Sequence, residues 1–138
     1  MSIEVRGVAP LVEVFDMPTS LAFYRDKLGF RVTGDSGQGD ESGWVMLELG
    51  NATIMLNTAY DDGERPDAPD PARTASHHDT CIYFECPDVD AAYKHLQTVD
   101  IESDPPSVAP YGMKQLYFTD PDNYGICFQC PDAGNDER

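Results

Sequence analysis

The chain has 138 residues, enough for one domain or for two very small units that share a core. Its hydrophobic content of 41% argues against wholesale disorder, and its formal net charge of −16 at pH 7 argues against general affinity for nucleic-acid phosphates or anionic membranes. No apolar run reaches the ~20 residues of a membrane-spanning helix, and the first residues lack a signal-peptide pattern, so we expect a cytoplasmic protein.

The first half of the chain is predicted to form a strand, a helix and three more strands. The helix is expected to start at an N-cap on Thr19 or Ser20 and to end at Gly29, because apolar residues recur between them at helical spacing. Gly50-Asn51 is a strong tight-turn pair and predicts a hairpin. The predicted strands cover 8–14, 30–33, 44–49 and 52–58.

Residues 59–79 break this pattern with many acids, several prolines and no periodicity. A connection between half-domains is favoured over a functional lid. His77 and His78 are predicted to be exposed residues of this segment rather than metal ligands. The last residues, 131–138, read as an acidic tail.

The same order of elements then repeats between residues 80 and 130. A strand over 81–86 is followed by a helix that opens at Pro87–Asp90 and carries His95 on or near its surface. Short and long strands are predicted over 101–103, 113–119 and 124–130, the last two joined by a turn at Asp120–Asn123. Two similar units, 1–58 and 80–130, therefore make one α+β domain.

Three segments of the chain form a recognisable pattern. They are Val12-Glu-Val-Phe-Asp16 with Ser20-Leu-Ala-Phe-Tyr24 and Leu28-Gly-Phe30, then Phe84-Glu-Cys-Pro-Asp88 with Val89-Asp-Ala-Ala92, and finally Phe118-Thr-Asp-Pro-Asp-Asn-Tyr124. Together they resemble the vicinal-oxygen-chelate superfamily, which includes glyoxalases, bleomycin-resistance proteins and extradiol dioxygenases. The resemblance implies two βαβββ modules with curled mixed sheets that enclose a cleft. It also implies a homodimer.

In the metal-dependent members of that family, the cleft holds a divalent ion on His, Gln or Glu side chains. By resemblance, the four ligand positions fall on Ala9, Met55, Cys81 and Cys127, and none keeps the expected ligand. Alanine does not coordinate metals, and methionine is a poor ligand for Ni²⁺, Mg²⁺ or Fe²⁺. We therefore expect no metal cofactor. Cys81 and Cys127 leave two interpretations open, a thiophilic-ion or redox pair and, favoured, two small cavity-lining residues.

The alternation of side chains along strands predicts which residues line the cleft, if the resemblance holds. Aromatic, thioether and polar groups are combined there, as in small-molecule sites. The favoured function is binding of a small aromatic or cationic compound without a metal. The alternative is a glyoxalase-related lyase, isomerase or dioxygenase that uses a non-standard metal or none; no catalytic residue is assigned. The predicted ligand-binding residues are Glu13, Trp44, Met46, Met55, Asn57, Cys81, Tyr83, Gln115, Tyr117 and Cys127.

The four cysteines could in principle coordinate a zinc ion. Cys127 and Cys130 are three residues apart on one predicted strand, so their side chains point to opposite faces of the sheet. Cys81 and Cys86 are five residues apart on another predicted strand, and this odd separation also places them on opposite faces. Reduced, small buried residues are therefore favoured over a four-cysteine zinc site.

Overall fold

The structure is a computed structural model that describes residues 2–133. The chain divides into two compact units, Met1–Asp67 and Ala68–Arg138. Each unit contains one mixed four-stranded sheet with helices, which confirms the predicted α+β class and its two βαβββ modules. Most of the predicted acidic tail over 131–138 lies outside the described residues. No helix within residues 2–133 is long and apolar enough to cross a membrane.

The first unit contains strands β1 (Leu11–Val14), β2 (Arg31–Asp35), β3 (Trp44–Leu49) and β4 (Ala52–Thr58) and helix α1 (Met17–Leu21). Helix α1 continues as a π-helix over Ala22–Lys27, and a 3-10 turn covers Gly39–Glu41. The sheet order is β1-β4-β3-β2, with β1 parallel to β4 and the other pairs antiparallel. Gly50 adopts a positive φ of 57° and allows the predicted tight turn between β3 and β4.

Alternate residues of this first sheet are buried and form the core of the unit. Because side chains alternate along a strand, the buried residues share one side, and burial of each aliphatic side chain contributes about 1.5–3 kcal/mol. The helical segment adds Leu21 and Tyr24, which are also buried. The buried aliphatic residues of the sheet are Val12, Val14, Val45, Leu47, Ile54 and Leu56. We call this the packed side of the sheet.

The second unit contains helix α2 (Pro71–Ser76), a 3-10 turn over His77–Asp79, strand β5 (Cys81–Glu85), helix α3 (Val89–Thr98), and strands β6 (Ser107–Val108), β7 (Met113–Thr119) and β8 (Gly125–Pro131). The sheet order is β5-β8-β7-β6, with β5 parallel to β8 and the remaining pairs antiparallel. Its packed side carries the buried Leu116, Phe118, Ile126 and Phe128, and α3 contributes the buried Leu96. The predicted turn before β8 is confirmed by Asn123, whose φ is 71°.

Two predicted boundaries in the first unit are wrong. The first strand begins at Leu11 rather than at residue 8, after Pro10, which has no amide hydrogen to donate to a ladder. The N-cap of α1 is Asp16, whose carboxylate accepts from the Thr19 amide at 3.0 Å, rather than Thr19 or Ser20. Pro18 lies inside the first turn, where its missing amide hydrogen costs nothing.

Two predictions in the second half also need correction. Residues 101–103 do not form a strand, because α3 ends there in a Schellman-type turn: Asp100 has a φ of 59°, and the Ile101 amide donates to the Leu96 carbonyl at 3.0 Å. The strand that pairs with β7 is instead β6. His77 is half-buried rather than exposed, because its ring stacks on Tyr124 with centroids 4.1 Å apart.

Candidate functional site

Five predicted ligand-binding residues lie together on the first sheet, on the side opposite to its packed side. Strand register pairs Glu13 with Asn57, Asn57 with Trp44, and Met55 with Met46. Cross-strand partners project to the same side, so Glu13, Trp44, Met46, Met55 and Asn57 form one continuous patch, which we call the first face. All five side chains are half-buried.

The centre of the first face is a row of three side chains across β1, β4 and β3. The Asn57 amide donates to both carboxylate oxygens of Glu13, at 3.3 and 3.2 Å, and so orients the carboxylate. Trp44 lies on the other flank of Asn57 in the register. A carboxylate and an indole therefore stand one strand apart on either side of an amide. This combination suits a positively charged or aromatic group.

Gly34 belongs to this arrangement, although sequence reasoning did not select it. A methyl group added at Gly34 would lie 3.6 Å from the six-membered ring of Trp44, so the ring packs close to the β2 backbone. The register between β2 and β3 also shifts between Val32 and Gly34. Gly34 follows directly after the predicted strand over 30–33, and that position was the available signal, because glycines within strands often mark bulges or close approaches.

The other five predicted residues lie together on the second sheet, again opposite to its packed side. Tyr83 and Tyr117 flank Cys127 in the register from β5 and β7. Cys81 pairs with Gly125, and a methyl group added to Gly125 would lie 3.1 Å from the Cys81 sulfur, so the thiol rests against the bare backbone of β8. We call Cys81, Tyr83, Gln115, Tyr117 and Cys127 the second face.

The two tyrosines of the second face are coupled through their hydroxyl groups. The hydroxyl oxygens of Tyr83 and Tyr117 are 2.8 Å apart, either one donating, and the rings meet edge to face. The hydrogen bond to Tyr83, with a smaller contribution from burial, raises the pKa of Tyr117 far above its ordinary value. The Tyr117 phenol is therefore neutral near pH 7.

The two thiols of the second face are also held in the neutral form. Burial raises the pKa of Cys81 and of Cys127, and the proximity of Cys81 adds to the effect on Cys127. Cys127 is fully buried. The register offset of two residues places their Cα atoms roughly 8 Å apart, from the strand rise and spacing. That exceeds the reach of about 7 Å for a disulfide, which argues against the redox-pair interpretation.

Gln115 is buried, and its amide group is engaged inside the unit. Its nitrogen donates to the Gln129 side-chain oxygen at 3.0 Å and to the Tyr111 hydroxyl at 2.8 Å. Tyr111 was not selected from the sequence, because it lies between the strands predicted over 101–103 and 113–119, outside any predicted element. The structure therefore assigns Gln115 a bridging contact within the second face.

Each unit also contains a cavity outside its face. The first unit has one of about 610 Å³, where the Arg65 guanidinium lies 5.0 Å from the Phe15 ring centroid and pairs with Asp16. The aromatic and acidic groups that would attract a cation there already hold Arg65. The second unit has one of about 750 Å³, bordered by Tyr93, Ile101 and the edge of Tyr117.

Comparison with known proteins identifies the family. The Glyoxalase/Bleomycin resistance protein/Dioxygenase superfamily model matches residues 9–128. The chain belongs to this superfamily. It is 31% identical over 110 residues to the uncharacterised protein YaeR of Escherichia coli (strain K12), covering 78% of this chain and 81% of YaeR.

Solved structures of the glyoxalase superfamily share the fold. A glyoxalase family protein from Enterococcus faecalis has 22% identity and a TM-score of 0.63, with 92% of this chain and 97% of that chain covered. A glyoxalase/bleomycin resistance protein/dioxygenase from Nocardioides has 19% identity and a TM-score of 0.69, with 96% and 88% covered. At these identities the likeness establishes the architecture and leaves the ligand to the residues themselves.

The superfamily's metal-dependent members hold a divalent ion, and the residues of this chain do not fit one. In the first unit the corresponding positions carry Ala9 and Met55, which offer no nitrogen or oxygen donor from their side chains. In the second unit they carry the neutral thiols of Cys81 and Cys127. Within residues 2–133, no group of three or more His, Cys, Asp or Glu side chains could hold a metal ion. His77 is committed to Tyr124 and to the Asp122 carbonyl, 2.8 Å from its Nδ1.

Proposed function

We propose that this glyoxalase-superfamily protein binds a small aromatic cation through the first face, without a resident metal. The row Glu13–Asn57–Trp44 is the observation that carries the proposal. Asn57 holds the carboxylate in a fixed orientation, and the indole stands within the same patch. An aromatic cation would use both the carboxylate charge and the face of the indole ring.

The thioethers of Met46 and Met55 extend the same surface. They pair directly in the register between β3 and β4, so two polarizable side chains lie next to the polar row. Methionine adapts its shape and contacts aromatic rings favourably. A planar ring system would rest on this apolar part while its charge pairs with Glu13.

The second face is proposed as a further contact surface with a different preference. Tyr117 and Cys81, whose pKa values are raised, are uncharged at neutral pH, and together with Tyr83 they offer polarizable, weakly polar contacts. These groups suit an uncharged aromatic ring better than an ion. Because Gln115 is occupied by Tyr111 and Gln129, its role here is to support the face rather than to meet a ligand.

Isothermal titration calorimetry with three related probes tests the proposal. N-methylquinolinium supplies an aromatic cation, quinoline a ring of similar size that is mostly neutral, and quinaldate a related anion. We expect N-methylquinolinium to bind at least about tenfold more tightly than quinoline, since one favourable charge interaction of ~1.4 kcal/mol gives that ratio. Quinaldate is expected to bind most weakly. Equal heats for all three probes, or preference for the anion, would refute the proposal.

A second candidate is a lyase, isomerase or dioxygenase of the same fold. The hydrogen-bonded Tyr83–Tyr117 pair above the buried Cys127 favours it, because such groups can relay a proton. Elemental analysis of the purified protein distinguishes the candidates. Stoichiometric Fe, Ni, Mn or Zn that survives dialysis would support the enzyme, whereas metal-free protein that binds N-methylquinolinium would support the binding protein.

We also propose that the protein acts in the cytoplasm as a homodimer. The family resemblance motivates the assembly, and light scattering coupled to size-exclusion chromatography tests it. The expected mass is twice the 15.2 kDa of one chain. A mass of one chain across the micromolar range would contradict the dimer.

A further inference from the structure

The four cysteines occur as two cross-strand pairs, one on each side of the second sheet. The pair Cys81 and Cys127 belongs to the second face. The other pair, Cys86 and Cys130, lies on the packed side, near the point where the chain leaves β5 and enters α3. All four are free thiols. The two pairs differ in their register, and this difference decides what each can do.

Cys86 and Cys130 are the next positions after the last pair of the β5–β8 ladder. Glu85 pairs with Gln129 in the parallel ladder, and the Cys86 amide donates to the Gln129 carbonyl at 2.9 Å. One residue further, the same register places Cys86 beside Cys130, with Cα atoms about 4.8 Å apart. That spacing falls within the range of about 4.4–6.8 Å that disulfides require.

The backbone at this pair also has room to adjust. Strand β5 ends at Glu85, so Cys86 is the first residue beyond the strand and is followed by Pro87. Its thiol makes a long contact of 3.7 Å with the Asp88 carbonyl. Both sulfurs belong to half-buried residues, which small oxidants reach. Burial, and to a smaller extent the neighbouring Cys130, raises the pKa of Cys86, so this thiol reacts through a minor thiolate population.

We propose that Cys86 and Cys130 form a redox-modification site, at which a hydroperoxide converts the two thiols into an intrachain disulfide. One thiol loses its proton, the thiolate attacks a peroxide oxygen, and the O–O bond breaks to give a sulfenic acid and hydroxide, which takes up the released proton as water. The second thiol then attacks the sulfenic sulfur, the S–O bond breaks, and its proton leaves with the hydroxide as a second water. Two thiols are oxidised and one hydrogen peroxide is reduced to two waters.

The disulfide would clamp the start of α3 to the last strand of the unit. The bridge would join Cys86, two residues before the α3 N-cap Asp88, to β8, which carries Cys127 on its other side. It would close a loop of more than 40 residues within the second unit, and long loops give large stabilisation when they are closed. Oxidation would therefore raise the thermal stability of the chain.

Thiol counting on the full chain tests the site. Reduced protein is treated with hydrogen peroxide at low protein concentration, denatured, alkylated with N-ethylmaleimide and weighed by mass spectrometry. The reduced chain should carry four adducts and the oxidised chain two, with a peptide map that joins Cys86 to Cys130. The oxidised form should melt at least about 5 °C higher, from the stabilisation expected of a long closed loop.

Matched variants separate this pair from the other one. Cys86→Ser and Cys130→Ser should each abolish the intrachain disulfide and the rise in melting temperature. The single variants Cys81→Ser and Cys127→Ser each remove the same number of thiols and should keep both effects. Four adducts after peroxide treatment, a bridge between Cys81 and Cys127, or a bridge between two chains as the main product would overturn the proposal.

Discussion

The two units share one order of elements, yet the sheet faces opposite to their packed sides differ in chemistry. The first face contains a carboxylate that is held by an amide and accompanied by an indole, whereas the second contains neutral thiols and a pair of hydrogen-bonded phenols. In each unit the packed side is aliphatic and aromatic in a similar way. The shared packed sides specify the fold, whereas the opposite sides differ: one presents a carboxylate beside an indole, and the other presents phenols and thiols.

The largest expected effect is a loss of folding stability, and it tests whether the packed side and the first face of the first sheet have separate roles. Leu56 and Met55 are neighbours on β4, but Leu56 is fully buried on the packed side and Met55 is half-buried on the first face. Leu56→Ala should lower the free energy of unfolding by about 2–5 kcal/mol, as expected for a cavity in a closed core. Urea denaturation followed by circular dichroism measures it.

Met55→Ala is the matched control for that experiment. Because Met55 keeps part of its surface in water, its truncation should cost about 1 kcal/mol or less. If Met55→Ala destabilised the chain as much as Leu56→Ala, the first face would be core, and its residues would no longer be available to a ligand.

The next largest expected effect is a loss of affinity for a cationic ligand, and it tests whether the charge of the first face is responsible for binding. Glu13→Gln removes the negative charge from the first face and keeps the hydrogen bond that Asn57 donates. We expect the affinity for N-methylquinolinium to fall about tenfold, equivalent to ~1.4 kcal/mol, while quinoline binding changes little. Calorimetry on the purified variant measures both constants.

Glu85→Gln provides the matched charge change in the second unit. Glu85 pairs with Gln129 in the register and is exposed at the end of β5. We expect its effect on N-methylquinolinium binding to stay within about twofold, since an exposed charge in water contributes little. Equal losses in both variants would show that overall negative charge, rather than the first face, attracts the cation.

The smallest effect is a titration confined to the second face. Because Tyr117 has a raised pKa in the folded chain, it should remain protonated at a pH where ordinary tyrosines, with pKa values near 10, have ionised. The stability that this hydrogen bond supplies is complete below that pH and is lost as the pH rises above it. Ultraviolet absorbance of tyrosinate measures the titration. In Tyr83→Phe the late step should move to lower pH, and an unchanged titration curve would contradict the coupling.

The side-chain alternation of strands was readable from the sequence because it is a local property. Register confirms that Glu13, Trp44 and Met55 share a side, as their positions in predicted strands required. The start of the first helix could not be predicted from the sequence, because Asp16, Thr19 and Ser20 are all good N-cap residues. Backbone geometry decides which of these side chains reaches the first turn.

Features that depend on distant residues were beyond a local pattern. The stacking of His77 on Tyr124 and the pairing of Cys86 with Cys130 join positions more than 40 residues apart. The alternation of side chains along a strand was enough to predict that Cys127 and Cys130 point to opposite faces. Which cysteine lies next to each of them depends on the register between β5 and β8. Likewise, Ile101 looked like a strand residue, whereas its amide closes the turn that ends α3.

The fluorescence of Trp44 tests the central claim most directly. It is the sole tryptophan of the chain, so its emission reports on the first face alone. Titration with N-methylquinolinium should quench this emission in a saturable way, and the midpoint should move to about tenfold higher concentration in Glu13→Gln. Emission that changes with N-methylquinolinium no more than free N-acetyltryptophanamide does, or an identical midpoint in both proteins, would contradict recognition of a cation at the first face.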